Sequence, residues 1–184
     1  MSDDEYEDQN LDDFLINAAK ILSHKNHKDA KNVKEALTQH LNSNFKDEDE
    51  MANFFNTLNS VIFPNQDSEN GSSKTFSKDA FGLYSIVFAT NPKLSVKYID
   101  YFLFSLQECI SEENRNSFSF LSTVFDSVLN SFFIVNDSRS LTIKKKEMLY
   151  DKLLNFCSEN IETNKRAQQS FGCLMLTELI ENVL

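Results

Sequence analysis

Apolar residues recur along this chain at helical spacing, in blocks separated by short polar breaks. Leu11, Phe14, Leu15, Ala18, Ile21 and Leu22 fall on one side of a helix, with Asp12 and Asp13 in its first turn. Val33, Leu37 and Leu41 make the same pattern between Asp29 and about Phe45, and Met51, Phe54, Phe55, Leu58, Val61 and Ile62 repeat it behind the acids of Asp47 to Glu50. Pro64 marks the end of that helix, and Gln66 to Ser73 reads as the main loop, within an interruption spanning residues 64–75.

Four blocks follow with little pause. Thr75 to about Thr90 is apolar nearly all round, through Phe76, Phe81, Leu83, Tyr84, Ile86, Val87 and Phe88, and therefore belongs at the centre of whatever forms. Asn91-Pro92 breaks it, and Pro92 suits the first position of a helix running to about Ser111. Asn116 to Val135 supplies Phe118, Leu121, Phe125, Val128, Leu129 and Phe132; Ser138 or Ser140 is placed to cap the next block, which runs through Leu149, Leu153 and Cys157.

The closing stretch starts at Glu162 or Thr163 and becomes apolar without relief through Leu174, Met175, Leu176, Leu179, Ile180, Val183 and Leu184. A helix of that kind has to be covered, by earlier helices, by a successor or by a partner. It is expected to be an interface, with Leu176, Ile180 and Leu184 among the contact residues and self-association as one outcome.

The middles of the polar breaks fall near 26, 45, 69, 91, 114, 138 and 161, in steps of about 19 to 25 residues. Two steps make a helix pair of roughly 40–47 residues, the period of armadillo and HEAT arrays. The stretch Lys165-Arg166-Ala167-Gln168-Gln169-Ser170-Phe171-Gly172-Cys173-Leu174 resembles the second-helix pattern of a HEAT repeat. Arg166, Ser170, Gly172 and Leu174 fit it, whereas Lys165 stands where the family usually has an apolar residue. The resemblance covers one repeat by pattern and the others by period and polarity. It implies an all-α chain of about eight helices stacked as antiparallel pairs, an α-solenoid segment whose open face binds another protein. Within that superfamily it is similar to regulatory and scaffold subunits of serine/threonine phosphatases, which implies a phosphatase catalytic subunit as the partner.

Composition agrees with helices. With 3 Gly and 2 Pro in 184 residues, folds built on many tight turns are disfavoured. The 17 Phe residues need burial, each contributing roughly 1.5–3 kcal/mol when fully covered. A net charge of −10 argues against binding nucleic acid or an anionic membrane. Residues 1–10 carry Asp3, Asp4, Glu5, Glu7 and Asp8 with almost nothing to bury, so a disordered acidic tail is expected ahead of a helical domain over 11–184. Cys109, Cys157 and Cys173 read as reduced core thiols, and no basic-then-apolar leader is present, which together suggest a cytoplasmic protein, with the nucleus as the alternative.

Candidate chemistry is sparse. The loop at Asp67 places Ser72 where a calcium loop needs glycine. His24, His27 and His40 read as exposed histidines better than as a zinc site, and no phosphate loop, nucleophile elbow or HExxH is present. No catalytic residue, metal or cofactor is assigned. Lys25, Lys28, Lys31 and Lys34 form a lysine stripe that reads as a solvated helix face. Lys144, Lys145 and Lys146 sit at a helix start, where the dipole disfavours them, and are the best candidates, with Arg166, for contact with an acidic partner. The expected role is a non-catalytic scaffold or regulatory subunit. The alternative is a helical-bundle enzyme or small-molecule binder with a pocket near Tyr84, Tyr98 or Tyr101.

Overall fold

Asn10 opens the first helix by accepting the Asp12 amide on its side chain at 3.4 Å. The computed structural model describes residues 10–23, 27–44, 48–64, 75–134 and 140–183. Among them lie α1 (Leu11–Ser23), α2 (His27–Asn44), α3 (Glu48–Ile62), α4 (Lys78–Thr90), a four-residue α5 (Pro92–Ser95), α6 (Ile99–Cys109), α7 (Phe118–Phe133), α8 (Ile143–Glu162) and α9 (Arg166–Val183). Eight of these have eleven residues or more, and no strand occurs among the described residues, so the chain is all-α. The acidic tail apart from Asn10, and the interruption at 64–75 apart from Pro64 and Thr75, lie outside the described residues.

The boundaries moved for local reasons. Thr75 stays outside α4 because Ser77 is its N-cap, accepting the Ala80 amide at 3.3 Å while its own amide donates to the Ile62 carbonyl at 2.8 Å. The continuous helix expected from Pro92 is instead interrupted by a tighter turn over Val96–Tyr98, and Tyr98 stacks on Phe55 with ring centroids 5.2 Å apart. Thr142, not Ser138 or Ser140, caps α8, accepting the Lys145 amide. The closing helix begins at Arg166, where Glu112 reaches across to accept the Ala167 amide at 2.9 Å and satisfies one of the unpaired donors of the first turn. Glu112 also pairs with Arg115 at 2.6 Å.

The helices form two layers. In one, α1 packs against α4, α4 against α7, and α7 against α9. In the other, α3 packs against α6, and α8 follows, tied to α6 by the ion pair Lys152–Asp100 at 2.6 Å and the hydrogen bond from Asn160 Nδ2 to Gln107 Oε1 at 2.9 Å. The successive pairs α3/α4, α6/α7 and α8/α9 each place one helix in each layer. The first pair departs from this order: α1 joins the layer of second helices, and α2 leans across α1 and α4.

Phenylalanine fills the space between the layers. Phe81, Tyr84 and Phe88 of α4 contact Phe55 of α3, Phe102 of α6 and Phe132 of α7, and Phe102 stacks on Phe125 of α7. Phe118 meets Phe171 of α9 at 4.9 Å. One polar node crosses this core: the Tyr84 hydroxyl lies 2.9 Å from Ser105 Oγ and 3.2 Å from the Tyr101 carbonyl, and Ser105 donates to Asn59 Oδ1 at 2.8 Å. Cys109 and Cys157 are buried, as read from the sequence, but Cys173 is exposed, because α9 turns Phe171, Met175 and Leu179 inward and leaves that position outside. Burial raises both inner thiols, Cys157 to about 12.

Within the hairpin of α8 and α9 the two helices approach closely at Gly172. A Cβ added to Gly172 would stand 2.9 Å from Ile161 Cγ1 and 3.0 Å from the Ile161 backbone nitrogen. Gly82 on α4 is different, since the nearest group is Phe120 Cζ at 3.8 Å. Gly172→Ala is therefore expected to cost about 1–3 kcal/mol by overpacking. Gly82→Ala should instead gain up to about 1 kcal/mol of helix propensity. Urea unfolding of the two variants checks both signs.

Candidate interaction groove

Over the outer side of α4 runs a trough walled by α2 and the end of α1 on one side and by α7 on the other. It consists of two adjoining depressions of about 520 and 540 Å³ that share Lys34, Ser85 and Ile86. At the end nearer the start of α4, Leu22, Ile86 and Phe120 give it an apolar floor, with Lys34 and Lys78 at the sides and Asp79 as the one carboxylate among its described lining residues. At the other end Ile86 and Ala89 are joined by the small polar residues Thr38, Thr90, Ser127, Asn130 and Ser131.

Its hydroxyls are largely turned back onto their own helices. Ser85 donates to the Gly82 carbonyl, Thr90 to Ile86, Ser127 to Thr123 and Ser131 to Ser127, at 2.8 to 2.9 Å. Asn130 Nδ2 donates to Asp126 Oδ2, and Asn182 of α9 to the other oxygen of the same carboxylate. With these donors spent, and Thr38 Oγ1 3.5 Å from Thr90 Oγ1, this end offers the trough oxygen acceptors more than donors and no strong charge. Lys34 and Lys78 carry no ion pair among the described residues, whereas Lys31 of the same stripe pairs with Glu35 at 3.7 Å in the open.

The residues expected from sequence to meet a partner do not come together. Lys144 and Lys145 are exposed in the first turn of α8, but Lys146 Nζ donates to the Phe133 carbonyl at 2.8 Å and so closes the end of α7, where a cation is favoured. Arg166 is exposed at the far end of α8 from these lysines, a helix of about 30 Å away. Leu176, with Leu174 and Val183, packs partly buried against the core, while Ile180 stays 42% exposed. Leu184 lies outside the described residues. Most of the apolar surface of the closing helix is thus taken up by α7 and α8, which flank it.

Tyr84, Tyr98 and Tyr101, where a pocket was the alternative, are occupied by ring packing: all three stack on Phe55. No group of three or more His, Cys, Asp or Glu among the described residues is placed to hold a metal. No helix among them is long and apolar enough to cross a membrane. The chain matches no protein-family model, no curated protein and no solved structure.

His40, expected to be exposed, is partly buried on α2 between Phe14 and Phe54, with ring centroids at 5.5 and 5.9 Å. A small depression of about 240 Å³ beside it is lined by Leu11, Glu50 and Met51. Desolvation lowers its pKa below 6.5, against an opposing pull from Glu50. The folded state therefore binds the His40 proton more weakly than the unfolded chain, and this contribution to stability is full above about pH 6.5 and is lost as pH falls towards the folded pKa. The melting temperature is expected to fall less steeply between about pH 7 and 5.5 in His40→Gln than in the parent.

Proposed function

We propose that this chain is a non-catalytic interaction module, a helical-repeat scaffold or regulatory subunit that holds a partner protein in the α2–α4–α7 trough. The observation that supports this reading most is the trough itself. It is long and open, with hydroxyl and amide oxygens along one end, an apolar floor with Lys78 at the other and Lys34 between them, neither lysine having an ion pair among the described residues. That surface suits an extended segment, whose backbone amides donate to the oxygens and whose apolar side chains cover Ile86 and Phe120.

The layered order of α3/α4, α6/α7 and α8/α9 supports an α-solenoid of the HEAT or armadillo kind, in which neighbouring pairs cover one another and one side of the stack is left for binding. The partner class that the HEAT resemblance implies, a serine/threonine phosphatase catalytic subunit, is included in the test. A cytoplasmic setting follows from the same reading.

The test is capture of partners from the native cell by the parent chain and by two variants of verified fold. Ser127→Arg fills the trough from its α7 wall, and Lys144→Glu/Lys145→Glu reverses charge at the start of α8. Loss of the captured protein with Ser127→Arg and retention with the lysine variant is the expected outcome. Recovery of no stable partner, or loss only with the lysine variant, would overturn the trough as the binding surface. Purified phosphatase catalytic subunit added to the parent decides the finer assignment directly.

A further inference from the structure

The trough has a candidate occupant within the chain. Residues 1–9 carry Asp3, Asp4, Glu5, Glu7 and Asp8 and no Lys, Arg or His, half of the formal net charge of −10 in nine residues. Tyr6 stands between these acids, in the order acid, aromatic, acid. The trough presents the complementary arrangement, with Lys34 and Lys78 beside the apolar floor of Leu22, Ile86 and Phe120. Asp79 is the one lining carboxylate, and neither lysine has an ion pair among the described residues.

Reach is sufficient. The segment joins the fold at Asn10, ahead of α1, and the last turn of α1 supplies Leu22 and Ser23 to the trough. The 13 residues of α1 span about 20 Å, and nine extended residues cover about 30 Å. A segment that returned along α1 would have the length to bring Asp3 to Glu5 level with Lys34 and Lys78. Two cations on an open surface hold a free peptide weakly, but a short tether raises its local concentration to about the millimolar range.

We infer that the acidic N-terminal segment of this chain docks in the α2–α4–α7 trough as an internal competitor of the partner. The inference rests on the reading of the trough as a binding surface and adds its regulation: the partner has to displace the segment. Because the attraction is between exposed charges, it weakens with salt.

The experiment uses the full chain. A nitroxide is attached at Ser2→Cys in a Cys173→Ser background, since Cys173 is the exposed thiol and Cys109 and Cys157 are buried. Broadening of the backbone amide signals of Lys34, Gly82 and Ser85 is expected. It should be lost in Lys34→Glu/Lys78→Glu, in a chain whose five tail acids are amidated (D3N, D4N, E5Q, E7Q, D8N), and in about 1 M salt, where screening acts within about 3 Å.

Broadening absent from the trough, or confined to Leu11, His40 and Glu50 at the start of α1, would overturn the inference. So would trough broadening that survives both sets of substitutions. Partner capture separates the two proposals. If broadening is absent but Ser127→Arg still abolishes capture, the docking fails and the interaction reading stands. If the segment is found in the trough while Ser127→Arg leaves capture intact, the docking stands and the interaction reading fails.

Discussion

The burial of α4 on nearly every side is the constraint on which the rest of the structure depends. Ala80, Phe81, Leu83, Tyr84, Val87 and Phe88 are all buried, so this helix cannot be satisfied by a single neighbour. It needs α3 and α6 beneath it and α1, α2 and α7 at its sides, and those contacts account for much of the architecture. Each fully buried ring contributes roughly 1.5–3 kcal/mol, and the edge-to-face and stacked geometry of these rings adds smaller, orientation-dependent increments. Where a polar group enters this region, the Tyr84 hydroxyl, it is matched by Ser105 and the Tyr101 carbonyl, because an unmet hydroxyl there would forfeit about 1–3 kcal/mol.

What α4 leaves uncovered is as informative as what it buries. Beyond Lys78 and Asp79 of its first turn, Gly82, Ser85, Ile86, Ala89 and Thr90 form an open strip, and the walls of α2 and α7 rise on either side of that strip. The side chains there are short, so the strip lies low and forms a trough. Their hydroxyl donors return to the helix backbone, which avoids stranding donors in a half-covered place. A surface made this way is open to a ligand without needing one for stability.

The candidate site was barely legible in the sequence. Lys34 reads in the sequence as one of a stripe, but its spacing matches that of Lys31, which faces solvent and pairs with Glu35. Only packing against α4 distinguishes the two. Ser85, Ser127 and Asn130 carry no sequence signal, because small polar residues on the outer face of a helix look the same whether they border a groove or open water. The lysine run at Lys144 was conspicuous for its unfavourable place at a helix start. One of its members has a structural task that sequence spacing does not reveal, capping α7 from the first turn of α8.

By itself the sequence determined the all-α class, the number of long helices, most of their boundaries to within a few residues and the centrality of α4. Those properties follow from apolar periodicity, from scarce Gly and Pro and from turn residues, which act within a few positions along the chain. Tertiary structure decided the rest. It set α1 in the layer of second helices, broke the helix after Pro92 so that Tyr98 could lie on Phe55, and began α9 where Glu112 caps it. It also covered most of the apolar side chains of α9 and turned Cys173 outward. Each of these depends on which helix lies beside which, and periodicity gives a helix an inward face without naming its neighbour.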